Sequence, residues 1–185
     1  MNSTQYRIGA MSAVAAGAVW VASAILQVGA GHPTGEKVEG FAGHATITLF
    51  TVALLLMGPA MFALARHALS DLGARIATPG LVVLGLTCIV SNVQGEDPSF
   101  FVVVAPLTNL LWLAGSIVLA VSLHKAGRIP RGLAIALPFM QIFALPLSAI
   151  GGSIVTGAYW IAVGYLMQQG ALERPSAASA APAAA

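Results

Sequence analysis

Long apolar segments separated by short polar ones dominate the chain. Four of these segments are uninterrupted, and each is close to the ~20 residues that a helix needs to cross the hydrocarbon layer of a membrane. They cover residues 8–30, 44–65, 76–93 and 100–123. The pattern therefore predicts four transmembrane helices over these ranges.

A fifth apolar segment, residues 132–167, is 36 residues long. As one helix it would measure roughly 54 Å, nearly twice the thickness of the hydrocarbon layer. We expect it to fold back on itself at residues 148–153, SAIGGS, where paired glycines accept the backbone angles of a tight turn. The pattern thus predicts six helices, the last two short. A five-helix version with an external C-terminus is the alternative.

The composition fixes the physical class of the protein. Hydrophobic residues make up 58% of the chain, charged residues make up 8%, and the mean hydropathy is +0.88. A soluble domain needs more polar surface than this composition supplies. The predicted fold class is an all-α, polytopic integral membrane bundle, with residues 1–172 as a single transmembrane helical domain. Residues 173–185 are almost entirely Ala, Pro and Ser, and we expect them to form a disordered tail.

The basic residues predict the orientation of the chain, because short cytoplasmic loops collect Lys and Arg. With a cytoplasmic N-terminus, seven of the eight basic residues lie inside and only Lys37 lies outside. Four of the six acidic residues then lie outside, namely Glu36, Glu39, Glu96 and Asp97. The five-helix alternative moves only Glu173 and Arg174, so the charges do not decide between the two versions.

Composition also bears on the cell type and on partners. Six arginines against two lysines, with abundant Ala and Gly, are typical of a high-GC bacterial genome, so we expect a bacterial cytoplasmic membrane. The net charge of +2 reflects orientation in the membrane, and we expect no nucleic-acid partner. The expected partners are membrane lipid and either a second copy or another membrane protein. Small-residue faces such as Gly9, Ala13 and Gly17 suit close helix contacts of this kind, within the bundle or in a homodimer.

Polar side chains inside the predicted helices form stripes at helical spacing, mostly in the external half of the membrane. Because an amide or imidazole that faces lipid is costly, we expect the stripes to face one another. One interpretation is interhelical hydrogen bonding, worth about 0.6 kcal/mol per contact, which accounts well for Ser and Thr. The other is a small cavity open to the outside, which accounts better for large amides and an imidazole. The candidate ligand-binding residues are His44, Asn92, Asn109, Trp112, Gln141 and Tyr159.

The segment GHPTGEKVEGFAGH, residues 31–44, contains imidazoles and carboxylates that suit a zinc-like ion. His32 and Glu36 are four residues apart, and Glu39 and His44 follow. No HExxH or comparable motif is present, so we interpret the segment as a solvated external loop and predict neither a metal site nor a cofactor. Cys88 is the only cysteine, which excludes an intramolecular disulfide.

The first functional hypothesis is a small integral membrane protein with an externally open polar cavity. Such a protein binds a small, largely apolar ligand or acts as an accessory subunit. No Asp, Glu, Lys or Arg lies within a predicted span, which argues against a proton relay, an ion-coupled pump or a voltage sensor.

The alternative hypothesis is a membrane-embedded isomerase or cyclase that acts on an isoprenoid-like or sterol-like substrate by acid catalysis. A carboxylic acid beside the membrane can protonate an alkene or an epoxide, while aromatic faces stabilise the resulting cation. Trp112 and Tyr159 would stabilise the cation, and His44 would assist the acid. The candidate catalytic residues are Glu36, Glu39, Glu96, Asp97 and His44.

The predicted orientation is tested by labelling single cysteines in intact cells. Cysteine introduced at Thr34 or Ser99 should react with a membrane-impermeant thiol reagent from outside, whereas cysteine at Ser70 or Gly127 should react only after the cells are opened. Labelling at Ser70 from outside would show that the orientation is reversed.

Overall fold

The computed structural model of the protein describes residues 3–29, 38 and 40–172. Within these ranges the chain forms six α-helices, and a short 3-10 turn at Ser148–Ile150 precedes the last of them. The helices are α1 Ser3–Gly29, α2 Gly40–Ala65, α3 Leu72–Gln94, α4 Phe101–Ala126, α5 Arg131–Ala144 and α6 Gly152–Gln168. Because α1 to α4 are long and apolar enough to cross a membrane, the predicted all-α membrane bundle is confirmed.

The helices form an antiparallel ring. Each helix packs against the next one along the chain, and α6 closes the ring by packing against α1. The start of α1 meets the end of α6, where the Tyr6 hydroxyl donates to the Met167 carbonyl oxygen at 3.2 Å. The chain therefore returns after α6 to the side on which α1 begins, as the six-helix prediction requires. Following the orientation predicted from charge, we call this side the cytoplasmic end and the opposite side the external end.

Reciprocal glycine contacts join two pairs of helices. A Cβ added at Gly17 of α1 would lie 2.5 Å from the carbonyl oxygen of Gly157 on α6, and the reverse distance is also 2.5 Å. Gly73 of α3 and Gly115 of α4 show the same reciprocal relation at 2.6 Å. Gly17 thus supports the bundle itself, which was one of the two roles expected for its face. The sequence-based prediction of small-residue faces had not included the α3–α4 contact.

Three tryptophans fill the centre of the ring. Trp20, Trp112 and Trp160 come from α1, α4 and α6, and none is more than 2% exposed. Trp20 packs edge-on against the Phe50 ring, and its indole Nε1 donates to the Met57 sulfur at 3.4 Å. The other large side chains that are fully buried are Leu54, Met57, Met61, Leu64, Leu81, Leu119, Leu123, Met167 and Leu172.

The α5–α6 hairpin is shorter than the rest of the bundle. Helix α4 has 26 residues and α5 has 14, about 39 Å and about 21 Å. The two helices share a cytoplasmic turn at residues 127–130. The contact between Gln141 and Asn109 leaves three residues of α5 and eight of α4 on its external side, so part of the difference in length falls at the external end. No Asp, Glu, Lys or Arg occurs between Arg131 and Glu173, and Ile150 in the turn is 80% exposed. The hairpin therefore ends in an apolar environment, below the external ends of α1 to α4.

The reversal between α5 and α6 starts earlier than predicted. The predicted hinge was residues 148–153, whereas α5 ends at Ala144 and α6 begins at Gly152. Pro146 explains the early end, because a proline has no N–H with which to continue the hydrogen bonds of the helix. Gly151 has the positive φ of +89° that the predicted glycine pair was expected to supply.

Adding a methyl group at the glycine contacts should destabilise the bundle. Gly17→Ala and Gly115→Ala would each place a Cβ against a backbone oxygen of the facing helix, and overpacking of this kind costs about 1–3 kcal/mol. Thermal unfolding in mild detergent should show a lower midpoint for both variants. The control is Gly132→Ala on α5, because a Cβ there meets nothing within 4 Å. Equal midpoints for all three variants would show that the close contacts do not stabilise the ring.

Candidate functional site

The candidate ligand-binding residues lie in three separate places. His44 and Asn92 lie together between α2 and α3 near the external end, and Asn109 and Gln141 lie together between α4 and α5. Tyr159 donates its hydroxyl hydrogen to the Leu133 carbonyl oxygen at 3.0 Å. Leu133 lies in the first turn of α5, so the Tyr159 hydroxyl reaches the cytoplasmic half of the hairpin from the middle of α6.

The first place is a hydrogen-bonded triad of His44, Thr48 and Asn92. His44 Nδ1 lies 2.8 Å from Asn92 Oδ1, and Asn92 Nδ2 donates to Thr48 Oγ1 at 3.0 Å. The Thr48 hydroxyl donates in turn to the His44 carbonyl oxygen at 2.7 Å. Because an amide oxygen only accepts, His44 Nδ1 carries the hydrogen in this arrangement.

This triad lies at the outer surface of the bundle. His44 and Thr48 are exposed, and Asn92 is half-buried. Thr48 shares its face of α2 with the exposed apolar residues Val52 and Leu55, four and seven residues further along. Thr51, three residues after Thr48, is instead buried. The position of the triad, one to two turns from the helix ends, fits a polar contact at the depth of the lipid headgroups.

The second place is an amide pair that joins α4 to α5. Gln141 Nε2 donates to the Asn109 backbone oxygen at 2.8 Å and to Asn109 Oδ1 at 3.2 Å. Gln141 is buried and Asn109 is half-buried. Trp112 follows Asn109 by one turn of α4, on the side facing the cytoplasmic end, and is fully buried.

Gln141 retains one buried polar atom without a partner. Its Oε1 has no hydrogen bond, whereas its Nε2 makes two. A buried acceptor left unsatisfied costs about 1–3 kcal/mol. If the Gln141 amide were flipped, Oε1 would face the two Asn109 oxygens, which only accept. The hydrogen bonds to Asn109 therefore fix the orientation of the Gln141 amide.

The triad and the amide pair do not share one interior space. A Cβ at Gly80 of α3 would meet the Thr108 carbonyl oxygen at 2.5 Å, which places Asn109 near the level of Gly80. Asn92 lies twelve residues further along α3, about 18 Å towards the external end. The structure therefore does not bring His44, Asn92 and Asn109 together in one interior space, because the exposed stripe of α2 turns His44 away from the centre.

The centre of the bundle is less shielded at the external end than at the depth of the tryptophans. On α4, the buried face that includes Thr108 and Trp112 continues outward to Phe101 and Ala105, which are only partly buried although they pack against the core. Leu145, one turn beyond Gln141, is also partly buried. The short α5–α6 hairpin explains this exposure, because it leaves the outer turns of α4 without a covering helix.

Five further buried polar atoms lack hydrogen-bond partners among the described residues: Gln27 Nε2, Thr51 Oγ1, Thr78 Oγ1, Ser116 Oγ and Trp160 Nε1. Ser116 and Trp160 are completely buried in the packed centre. Gln141 differs from Ser116 and Trp160 because Leu145, one turn further along the chain, is only partly buried. The amide pair is therefore taken as the candidate site.

The residues of the acid-catalysis hypothesis are not brought together. Glu96 and Asp97 are exposed beyond the external end of α3, while the Tyr159 hydroxyl lies in the cytoplasmic half of the hairpin with its hydrogen already donated. Glu36 and Glu39 lie outside the described residues. The structure therefore places no carboxylate among 40–172 beside the aromatic residues that would stabilise a cation.

Sequence reasoning missed a polar contact at the cytoplasmic end. The Tyr6 hydroxyl lies 3.0 Å from Nε2 of His67, which is buried, and the Arg66 guanidinium lies over the Tyr6 ring at 4.8 Å from its centroid. These contacts tie the start of α1 to the end of α2. Arg66 had been counted only among the cytoplasmic basic residues, and His67 had not been considered.

No group of three or more His, Cys, Asp or Glu that could hold a metal ion occurs in residues 3–29, 38 and 40–172. His32, Glu36 and Glu39 of the metal alternative lie outside these ranges. Comparisons with protein-family models, curated proteins and solved structures found no match.

The separation of the triad and the amide pair predicts which substitutions are energetically coupled. His44→Ala and Asn92→Ala should be non-additive in the free energy of unfolding, and so should Asn109→Ala and Gln141→Ala, because each pair shares hydrogen bonds. His44→Ala combined with Gln141→Ala should be additive within about 0.3–0.5 kcal/mol. Double-mutant cycles from denaturation in detergent measure these couplings. A strong coupling between His44 and Gln141 would contradict the separation.

Proposed function

We propose that this protein binds a small, largely apolar ligand at the external end of the bundle, between α4 and α5. The observation that carries the proposal is the buried, unpartnered Oε1 of Gln141, one turn before the partly buried Leu145. A typical small-molecule site has this composition, with an apolar lining and a few fixed polar groups.

The short hairpin supports entry from the outer leaflet. The turn between α5 and α6 is apolar, and both Ile150 in the turn and Val102 on α4 are strongly exposed. An apolar molecule dissolved in the membrane reaches this side of the bundle without crossing water. The partly buried Ala105 and Leu145 then line its path towards Gln141.

The proposed setting is the bacterial cytoplasmic membrane. The end of the bundle that carries most of the Arg and Lys residues faces the cytoplasm. The Arg-rich, Lys-poor composition and the charge partition support this assignment. In this orientation the amide pair opens towards the extracytoplasmic leaflet.

A bulky side chain in the opening should reduce ligand retention. Ala105→Trp adds an indole on the partly buried face of α4, whereas the control Val103→Trp adds the same group on its exposed face. The protein is purified in mild detergent, and mass spectrometry quantifies the apolar small molecules that copurify. We expect at least a tenfold loss for Ala105→Trp and wild-type amounts for Val103→Trp. Equal retention by the two variants, or no retained molecule in the wild type, would contradict the proposal.

A further inference from the structure

We infer that the ligand carries a hydroxyl group, which donates a hydrogen bond to Gln141 Oε1 and accepts one from Asn109. This inference rests on the proposed function and specifies the chemical class of its ligand as an apolar alcohol.

The donor requirement follows from how Gln141 is held. Both contacts of its Nε2 go to Asn109, to the backbone oxygen and to Oδ1, so the hydrogens of the Gln141 amide are used within the pair. Only Oε1 remains, and it can only accept. A ligand group that satisfies it must therefore be a donor.

The acceptor requirement follows from Asn109. Because Asn109 Oδ1 receives a hydrogen bond from Gln141, the Nδ2 hydrogens of Asn109 lie outside this pair. A hydroxyl group donates once and accepts through its lone pairs, so one oxygen can serve both amides. Ethers and esters only accept, and hydrocarbons do neither.

A charged ligand group does not fit the site. No Asp, Glu, Lys or Arg occurs in residues 101–124 or 132–172, so α4 and the hairpin offer no side chain that could neutralise an ammonium or a carboxylate. A buried, unpaired charge is far more costly than a hydrogen-bonded hydroxyl. The polar part of the ligand is therefore neutral.

The remainder of the ligand is apolar and elongated. From Trp112 to Phe101 the inward face of α4 extends over eleven residues, about 16 Å. Ala105 lies along this face, and Leu145 lies on the α5 side. A ligand hydroxyl reaches Oε1 by displacing Leu145, which follows the last residue of α5 and is only partly buried.

The experiment compares a radiolabelled isoprenoid alcohol, farnesol, with its methyl ether. The ether keeps the chain and the oxygen but lacks the donor hydrogen. Binding of both is measured by equilibrium dialysis to the full chain in lipid nanodiscs. We expect the wild type to bind farnesol at least tenfold more tightly than the ether.

Two methionine variants test whether Gln141 is responsible. Gln141→Met keeps the length of the side chain and removes the acceptor. This variant should therefore bind the alcohol and the ether with about equal affinity. Ile142→Met is the matched control at the next residue, which is exposed on the lipid side, and it should keep the wild-type preference.

The outcomes separate this inference from the proposed function. If alcohol and ether bind equally to the wild type, a water molecule supplies the donor to Gln141 and the inference is wrong, while binding of an apolar ligand stands. If the preference survives in Gln141→Met, another residue recognises the hydroxyl and the inference is again wrong. If the wild type binds neither compound, the proposed function falls together with it. The wild-type comparison needs no variant, so it remains decisive even if Gln141→Met does not fold.

Discussion

The ring depends on backbone contact between helices at paired glycines. In a membrane, water does not drive helices together, so their association relies on close packing and on hydrogen bonds. Contact between Gly17 and Gly157 joins α1 to α6, and contact between Gly73 and Gly115 joins α3 to α4. The first of these contacts closes the ring and returns the chain to its starting side. It also fixes how far α6 extends along α1, and therefore where the hairpin turn lies.

Helix α5 is held by a different interaction. Polar side chains on its neighbours donate to its backbone, as Thr156 does to the Met140 carbonyl oxygen and Tyr159 does to that of Leu133. Gln141 provides the corresponding contact with α4, through the Asn109 carbonyl oxygen. Hydrogen bonds of this kind fix position along the helix without requiring long, close-packed surfaces. They account for how a helix of 14 residues stays in register beside one of 26.

The sequence predicted the helices well because length and apolarity alone decide whether a segment can span a membrane. The site was harder to predict, because a helical stripe specifies a face but not the neighbour that the face meets. His44, Thr48 and Thr51 follow one another at helical spacing, yet Thr51 is buried while the other two are exposed. The side of α2 that faces the centre is determined by its packing with α1 and α3. Because α2 is apolar on all sides, its sequence does not show which side this is. Amide groups were nevertheless a sound guide, because Asn109 and Gln141 do pair.

The unequal helix lengths have a consequence for the surrounding lipid. The bundle presents to lipid the ~39 Å of α4 and, directly beside it, the ~21 Å of α5, against a hydrocarbon layer of about 30 Å. A bilayer that follows both helices must be thicker at α4 and thinner at α5. We therefore expect the protein to tilt and to gather shorter or more disordered acyl chains beside the hairpin. Because the mismatch differs around the bundle, the protein should adopt a preferred orientation within a membrane of uneven thickness.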